Sequence, residues 1–275
     1  MIPFLRGANP DALKSVMDLG IRGKKAIVCG SSQGLGKGCA LALAQAGVSL
    51  VINGRRAAVL DKTARAIRET TGVDVVPVVA DIGTQEGQAA LLAACPEPDI
   101  LVNNAGGPPY RDFRTLDRAA IGAGVTMNMI VPIELIQRVI GSMTDHGFGR
   151  IVNITSISVK MAVTGLDVSS GARAGLTAFL AGVCRSVADR NVTINQLLPG
   201  YFYTERLREG FVATAERAGK LEEEAADEWK LRVPAKRFGN VEEFGQTCAF
   251  LCSVHAGYIT GQNILMDGGL YPGAF

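Results

Sequence analysis

The feature that most constrains this chain is a short apolar run, Lys25-Ala26-Ile27-Val28-Cys29, that breaks directly into Gly30-Ser31-Ser32-Gln33-Gly34-Leu35-Gly36. A helical pattern then opens through Leu41, Leu43 and Ala44 and closes at Gly47. Glycines at 30, 34 and 36, set between a strand and a helix, let backbone N–H groups and the helix N-terminus meet a pyrophosphate. A tight turn without a ligand is the alternative, and the flanking strand and helix argue against it. Further apolar or β-branched runs bounded by turn residues predict strands at 48–53, 73–80, 99–102, 150–154, 192–198 and 263–266. Helical patterns fall between them at 57–70, 85–94, 123–144, 169–190 and 241–254. Strands regularly separated by helices predict an α/β fold, a doubly wound parallel sheet of Rossmann type with about seven strands and helices on both faces.

The 275 residues, 48 % hydrophobic, suffice for one such domain with a sizeable core. We expect 1–23 to be an N-terminal extension with a short amphipathic segment at 10–19, and 24–275 to be the domain. The charged helical stretch 204–233 interrupts the rhythm and reads as a lid insertion, in which Leu207, Phe211, Trp229 and Leu231 are candidates to cover a substrate. With 28 basic and 26 acidic residues and a net charge of +2, the chain shows no nucleic-acid footprint. No run of about 18 uninterrupted apolar residues occurs, and 1–23 does not read as a secretory signal. We therefore expect no membrane partner and a cytoplasmic protein. The six cysteines include no Cys-x-x-Cys pair; Cys248 and Cys252, four apart on an apolar helix face, read as buried small hydrophobes, and no metal site is expected.

Seven landmarks, in order, give the chain its resemblance. They are Gly30-x3-Gly34-Leu35-Gly36, Asp81, Asn103-Asn104-Ala105-Gly106, Asn128, Ser156, Pro199-Gly200 with Thr204, and Ile259-Thr260-Gly261-Gln262 followed by Asp267-Gly268-Gly269. Together they resemble the short-chain dehydrogenase/reductase family, and most nearly the branch of the 3-oxoacyl-acyl-carrier-protein reductases, from about Leu19 to Gly269. The resemblance implies a nucleotide turn built from Gly30, Ser32, Gln33, Gly34, Leu35 and Gly36, and an adenine contact at Asp81. It further implies support for the cofactor from Asn104, Ala105 and Gly106, an active-site asparagine at Asn128, and a catalytic serine at Ser156. Pro199, Gly200 and Thr204 would hold the nicotinamide amide. Asp81 also has a plainer reading as the N-cap of the following helix.

The departure from the family lies thirteen residues past Ser156, where the family's tyrosine is replaced by Ser169, and four further on, where its lysine is replaced by Arg173. In the family the tyrosine donates a proton and the lysine lowers its pKa and binds the nicotinamide ribose. A serine hydroxyl ionises far less readily than a phenol near ~10, so Ser169 does not simply inherit the role. Arg173 is suited to keep the ribose contact. The pair also reads as a helix N-cap with an exposed arginine. Tyr201 and Tyr203 rank first as relocated acids, then Lys160 and Asp167, with Tyr110 and a water relay through Asn128 and Ser156 also open.

Charge decides the cofactor expectation. The second strand ends Val51-Ile52-Asn53-Gly54-Arg55-Arg56, so Gly54 stands where an acid would bind the 2′-OH of NAD, and Arg55 offers a planar fork to a 2′-phosphate. NADP(H) is expected. Three functions follow: an NADP(H)-dependent oxidoreductase acting on a small carbonyl or alcohol by a non-standard proton transfer; a catalytically silent NADP(H)-binding protein, sensor or inactive oligomer partner; or an enzyme of altered chemistry, a dehydration, an isomerisation or hydride transfer to an activated C=N or C=C bond. Surplus apolar residues over 127–143 and 176–187 predict a homotetramer, with a dimer second.

Overall fold

The computed structural model describes residues 17–274; most of the amphipathic segment expected at 10–19 lies outside them. Seven strands form one sheet: β1 (Lys25–Val28), β2 (Ser49–Gly54), β3 (Val75–Val79), β4 (Ile100–Asn103), β5 (Gly149–Ile154), β6 (Val192–Pro199) and β7 (Asn263–Met266). Their spatial order is β3-β2-β1-β4-β5-β6-β7, and every pairing is parallel. The helices are α1 (Gly34–Gln45), α2 (Ala57–Thr71), α3 (Gln85–Ala94), α4 (Arg118–Val125), α5 (Val131–His146), α6 (Asp167–Ser186), α7 (Glu205–Ala218), α8 (Glu222–Arg232) and α9 (Val241–Leu251). The doubly wound expectation is met.

Strand residues alternate between two buried layers, which is why the strands read as apolar or β-branched runs. Val28, Ile52, Val102 and Val152 pack with Leu43 of α1, Leu60 of α2 and Phe244 and Cys248 of α9. Their neighbours Ile27, Val51, Leu101 and Ile151 face the other way, onto Leu91 of α3, Leu135 and Val139 of α5, and Leu176 and Leu180 of α6. All six cysteines are buried, Cys248 and Cys252 in the first layer. α1 and α9 meet backbone to backbone: a Cβ on Gly245 would fall 2.3 Å from the Gly38 carbonyl oxygen.

Two features depart from the helical pattern. The stretch expected as one helix at 123–144 starts earlier and contains a π-turn, Thr126–Ile130, between α4 and α5. Pro132 has no N–H to return to the Asn128 carbonyl, so the regular ladder is released there. The run Arg118–His146 (29 residues) is long and apolar enough, by length and composition, to cross a membrane, though Leu135, Ile136, Val139 and Met143 of its second half are buried against the sheet. The insertion at 204–233 forms α7 and α8, whose Phe211, Ala215 and Ala225 make a small core of their own with Phe238. Phe211 and Trp229 thus serve the insertion itself, and Leu231 is exposed. Short helices need an apolar contact of their own to stay folded.

The strand order reverses between β1 and β4, and ligands in open α/β sheets bind at the carboxyl ends of the strands flanking such a point. The glycine turn, Asp81 and Asn104–Gly106 lie there.

Candidate active site

At the switch point a cavity of about 930 Å³ opens, lined by Gly30, Ser32 and Gln33 of the glycine turn, Gly54–Arg56, Asp81, Asn104–Pro109 and, at the far end, Gly124, Leu166, Val168 and Arg206. The turn is a rigid fit. Asn104 Nδ2 donates to the Gly30 carbonyl at 2.9 Å, tying the end of β4 to the end of β1. A Cβ on Gly36 would stand 2.4 Å from the Gly30 oxygen and 2.7 Å from Asn104 Nδ2. The N-terminus of α1 therefore presents bare backbone, the cradle that a pyrophosphate needs. Leu35 lies within α1 and packs partly buried against the first core layer.

The adenosine end is ordered by a residue that the motifs did not flag. Asn53 ends β2, buried; its Nδ2 donates to the carbonyls of Val78 and Ala80, and its N–H donates to Ser31 Oγ at 3.1 Å. Its only signal in the sequence is a polar residue closing an apolar strand. Gly54 follows, and a Cβ there would lie 3.1 Å from Ser32 Cβ, so the turn leaves little room for an acid at 54. Arg55 and Arg56 are both exposed and both line the cavity, and Arg56 reaches back to Gln33 Oε1 at 2.6 Å. Asp81 accepts from the Gly83 N–H, while Thr84 caps α3 by accepting from Gly87 N–H. The capping role considered for Asp81 therefore belongs to Thr84, which stands at the position where a side-chain oxygen reaches the N3 amide.

At the other end the π-turn aims Asn128 inward, buried. Asn128 Nδ2 donates to the Gly106 carbonyl, and Ser169 Oγ donates to Asn128 Oδ1 at 3.3 Å. Arg173 Nε donates to Ser169 Oγ at 3.1 Å, Nη1 to the Ile154 carbonyl at 2.8 Å, and Nη2 to the Ala105 carbonyl at 3.3 Å. Ser169 is 4 % and Arg173 8 % exposed. The reading of this pair as an N-cap with a surface arginine is overturned: α6 begins at Asp167, and residues 169 and 173, one turn apart on its inner face, both turn into the site. Burial, with the Arg206 guanidinium nearby, brings the Arg173 pKa down to about 10, still charged at neutral pH. Ser156 Oγ accepts from the Ser158 N–H and caps a short turn after β5.

The loop expected to hold the nicotinamide is pinned from two sides. Gly200 N–H donates to the Met266 carbonyl, and a Cβ on Gly200 would fall 2.7 Å from Asp267 Cβ, so Pro199-Gly200 is held against the loop after β7. Thr204 caps α7, and its Cγ2 lies 3.6 Å from where a Gly34 Cβ would be, laying the insertion over the glycine turn. None of these three lines the cavity.

The candidate acids separate. Tyr203 is 60 % exposed and stacks on Phe238 in the insertion, away from the cavity lining. Tyr201 is half-buried with its ring 5.1 Å from that of Trp229. Lys160 lies over the Tyr271 ring, and Asp167 is exposed at the start of α6. Tyr110 follows the cavity-lining loop; burial raises its pKa, opposed by Arg206. Arg206 itself, which no motif marked, bridges from α7 to the Pro108 carbonyl at 2.9 Å and closes over the loop after β4. Only the tertiary path of that loop brings it into the site.

Comparison with known proteins agrees with this geometry. The family model described as enoyl-(acyl carrier protein) reductase matches residues 30–271. The NADPH-dependent reductase BacG of Bacillus subtilis is 31 % identical over 252 residues, covering 90 % of this chain and 97 % of the relative. The 3-oxoacyl-[acyl-carrier-protein] reductase FabG of Pseudomonas aeruginosa is 31 % identical over 260 residues, 92 % of this chain and 99 % of its own. Among solved structures, L-sorbose reductase from Gluconobacter frateurii, in complex with NADPH and L-sorbose, superimposes with a TM-score of 0.89 at 27 % identity, covering 94 % of this chain and 100 % of that one. With sheet order, nucleotide turn and relatives in agreement, this chain is a short-chain oxidoreductase and belongs to the short-chain dehydrogenase/reductase family.

Proposed function

We propose that the protein is an NADP(H)-dependent oxidoreductase that acts on a small carbonyl or alcohol, with a proton route that bypasses residue 169. Similarity to NADPH-dependent reductases supports the cofactor, and the residues present fit it. The bare N-terminus of α1 suits the pyrophosphate, Arg55 and Arg56 the 2′-phosphate, and Asp81 the adenine end. The cofactor supplies the hydride. The chain's own groups bind, orient and protonate: Ser156 offers a hydroxyl to the substrate oxygen, and Arg173 holds a fixed positive charge beside it.

One observation carries the proton argument. The Ser169 hydroxyl gives its hydrogen to Asn128 and receives one from Arg173, so it is spent on ordering its neighbours. The acid must stand elsewhere. Half-buried Tyr201 is favoured over Tyr110 and Tyr203, which are 52 % and 60 % exposed. Ser169→Ala is accordingly expected to keep NADPH oxidation, measured across a carbonyl panel, within about tenfold of wild type. A fall of about 10² to 10⁴, the worth of a general acid, would make Ser169 the donor. Ser156→Ala serves as the control for the family's serine. The second reading, a silent NADP(H)-binding protein, is favoured by the absence of a phenol at 169 and an amine at 173; binding without turnover across the panel would establish it.

The 2′-phosphate reading predicts a cofactor switch. Removing one charge-assisted partner costs about 1.5–3 kcal/mol. Arg56→Ala should therefore weaken NADPH by roughly 10- to 100-fold in calorimetry and leave NADH unchanged. Equal losses for both would place Arg56 on another part of the nucleotide.

A homotetramer is part of the proposal. Ile121 of α4, Ile130 of the π-turn and Phe179 of α6 are exposed, and exposed apolar faces of this kind are buried in assemblies. Light scattering at micromolar concentration is expected to give four times the 28.9 kDa chain mass, and a monomer mass would refute it.

A further inference from the structure

The cavity carries more positive charge than a nucleotide uses. Its charged lining residues are Arg55, Arg56, Asp81, Arg111 and Arg206. The first three stand at the end where β2 and β3 deliver the adenosine side. Arg111 and Arg206 stand at the opposite end, with Arg173 behind them. A methyl group placed on Gly107 would lie 3.4 Å from Arg206 Nη2, 3.5 Å from Ser169 Oγ and 3.8 Å from Arg173 Nη2, so both guanidinium groups close on one point beside residue 169.

Neither has an anion there. Among the described residues the donors of Arg173 are met only by Ser169 Oγ and the Ile154 and Ala105 carbonyls, and Arg206 donates to the Pro108 carbonyl. No ion pair among the described residues involves Arg111, Arg173 or Arg206. Acidic residues nearby are engaged or turned out: Glu205 pairs with Arg208, and Asp167 is exposed outside the lining. A buried cation answered only by neutral oxygens, with a second cation closing on it, is unfavourable until an anion arrives. Arginine's planar fork matches a carboxylate in two parallel hydrogen bonds.

We propose that the substrate bears a carboxylate next to the carbon that exchanges hydride, held by Arg206 with Arg173 behind it. The inference rests on the oxidoreductase reading and names its substrate class, a carboxylate-bearing carbonyl or alcohol. The other source of negative charge is the nucleotide, whose pyrophosphate belongs at the N-terminus of α1. The test therefore separates cofactor from substrate.

The protein is loaded with NADP+, which forms a complex with carbonyl compounds without turnover. Calorimetry then compares pyruvate, phenylpyruvate and 2-oxobutanoate with their methyl esters. The acids are expected to bind about 10- to 100-fold more tightly than the matched esters, the worth of a charge-assisted pair. Arg206→Met, at an exposed position where folding is not at stake, should abolish that preference and leave NADP+ affinity within about twofold, and Arg206→Lys should restore part of it. Esters binding as well as acids, or no acid binding at all, would overturn the proposal. So would Arg206→Met weakening NADP+ instead, which would put the guanidinium on a cofactor phosphate. Preferential binding of acids that NADPH then fails to reduce would uphold the carboxylate site and defeat the oxidoreductase reading.

Discussion

Restoring the family's pair, Ser169→Tyr with Arg173→Lys, is expected to lower turnover of the native substrate by about tenfold or more. General acid catalysis contributes about 10² to 10⁴, so a site that merely lacked its acid would gain by such factors. The geometry argues for the opposite sign. Ser169 is buried with its hydroxyl tied to Asn128 and Arg173, and a methyl on Gly107 would stand in ordinary contact with it at 3.5 Å. A phenol there gives up both hydrogen bonds and has to fit beside the Gly106–Pro108 loop, which Asn128 and Arg206 hold. Lysine at 173 also lacks the fork that holds the Ile154 and Ala105 carbonyls together. The measurement is kcat of the folded, NADPH-binding double variant on the native substrate. A rise of a hundredfold or more would mean that the native site has no acid of its own.

Gly36→Val should be the most damaging single change in the nucleotide site. Its Cβ would lie 2.4 Å from the Gly30 oxygen and 2.7 Å from Asn104 Nδ2, and neither atom can yield without parting β1 from β4. Overpacking of this kind costs about 1–3 kcal/mol and lowers Tm by roughly 5 °C or more. The larger effect falls on binding, because the α1 N-terminus would no longer approach a pyrophosphate. NADPH affinity is expected to drop by at least about a hundredfold. Calorimetry together with thermal unfolding separates the two losses; unchanged NADPH affinity would show that the cofactor does not use this turn.

Much of the fold was legible because it rests on local signals. Strands buried on both faces are mainly apolar, so β1, β2 and β4 stood out as apolar runs, while β5 and β6 carry buried polar residues such as Arg150, Asn153 and Gln196, and a glycine turn between strand and helix has few other uses. Arg55, expected at the 2′-phosphate, follows β2 directly, so short-range geometry puts it on the cavity wall. Asn53 passed unnoticed because a single asparagine at a strand end looks like any turn former. The π-turn at Asn128 was hidden too, since 3.6-residue periodicity does not register one extra residue per turn.

Helical spacing was enough to put residues 169 and 173 on one face of α6, and the resemblance to the family marked Ser156 and showed that its tyrosine and lysine are replaced. What those replacements do was decided by the tertiary structure. Whether Ser169 is an acid or an anchor depends on Asn128, 41 positions away, and on the loop after β4 that presses on it. Arg206 enters the site only because α7 folds back toward Pro108, 98 positions earlier in the chain. Periodicity and turn chemistry act over a few residues and are written in the local sequence. The hydrogen bonds and charge of the active site join segments that meet only when the sheet is closed, and no local pattern records which of them will touch.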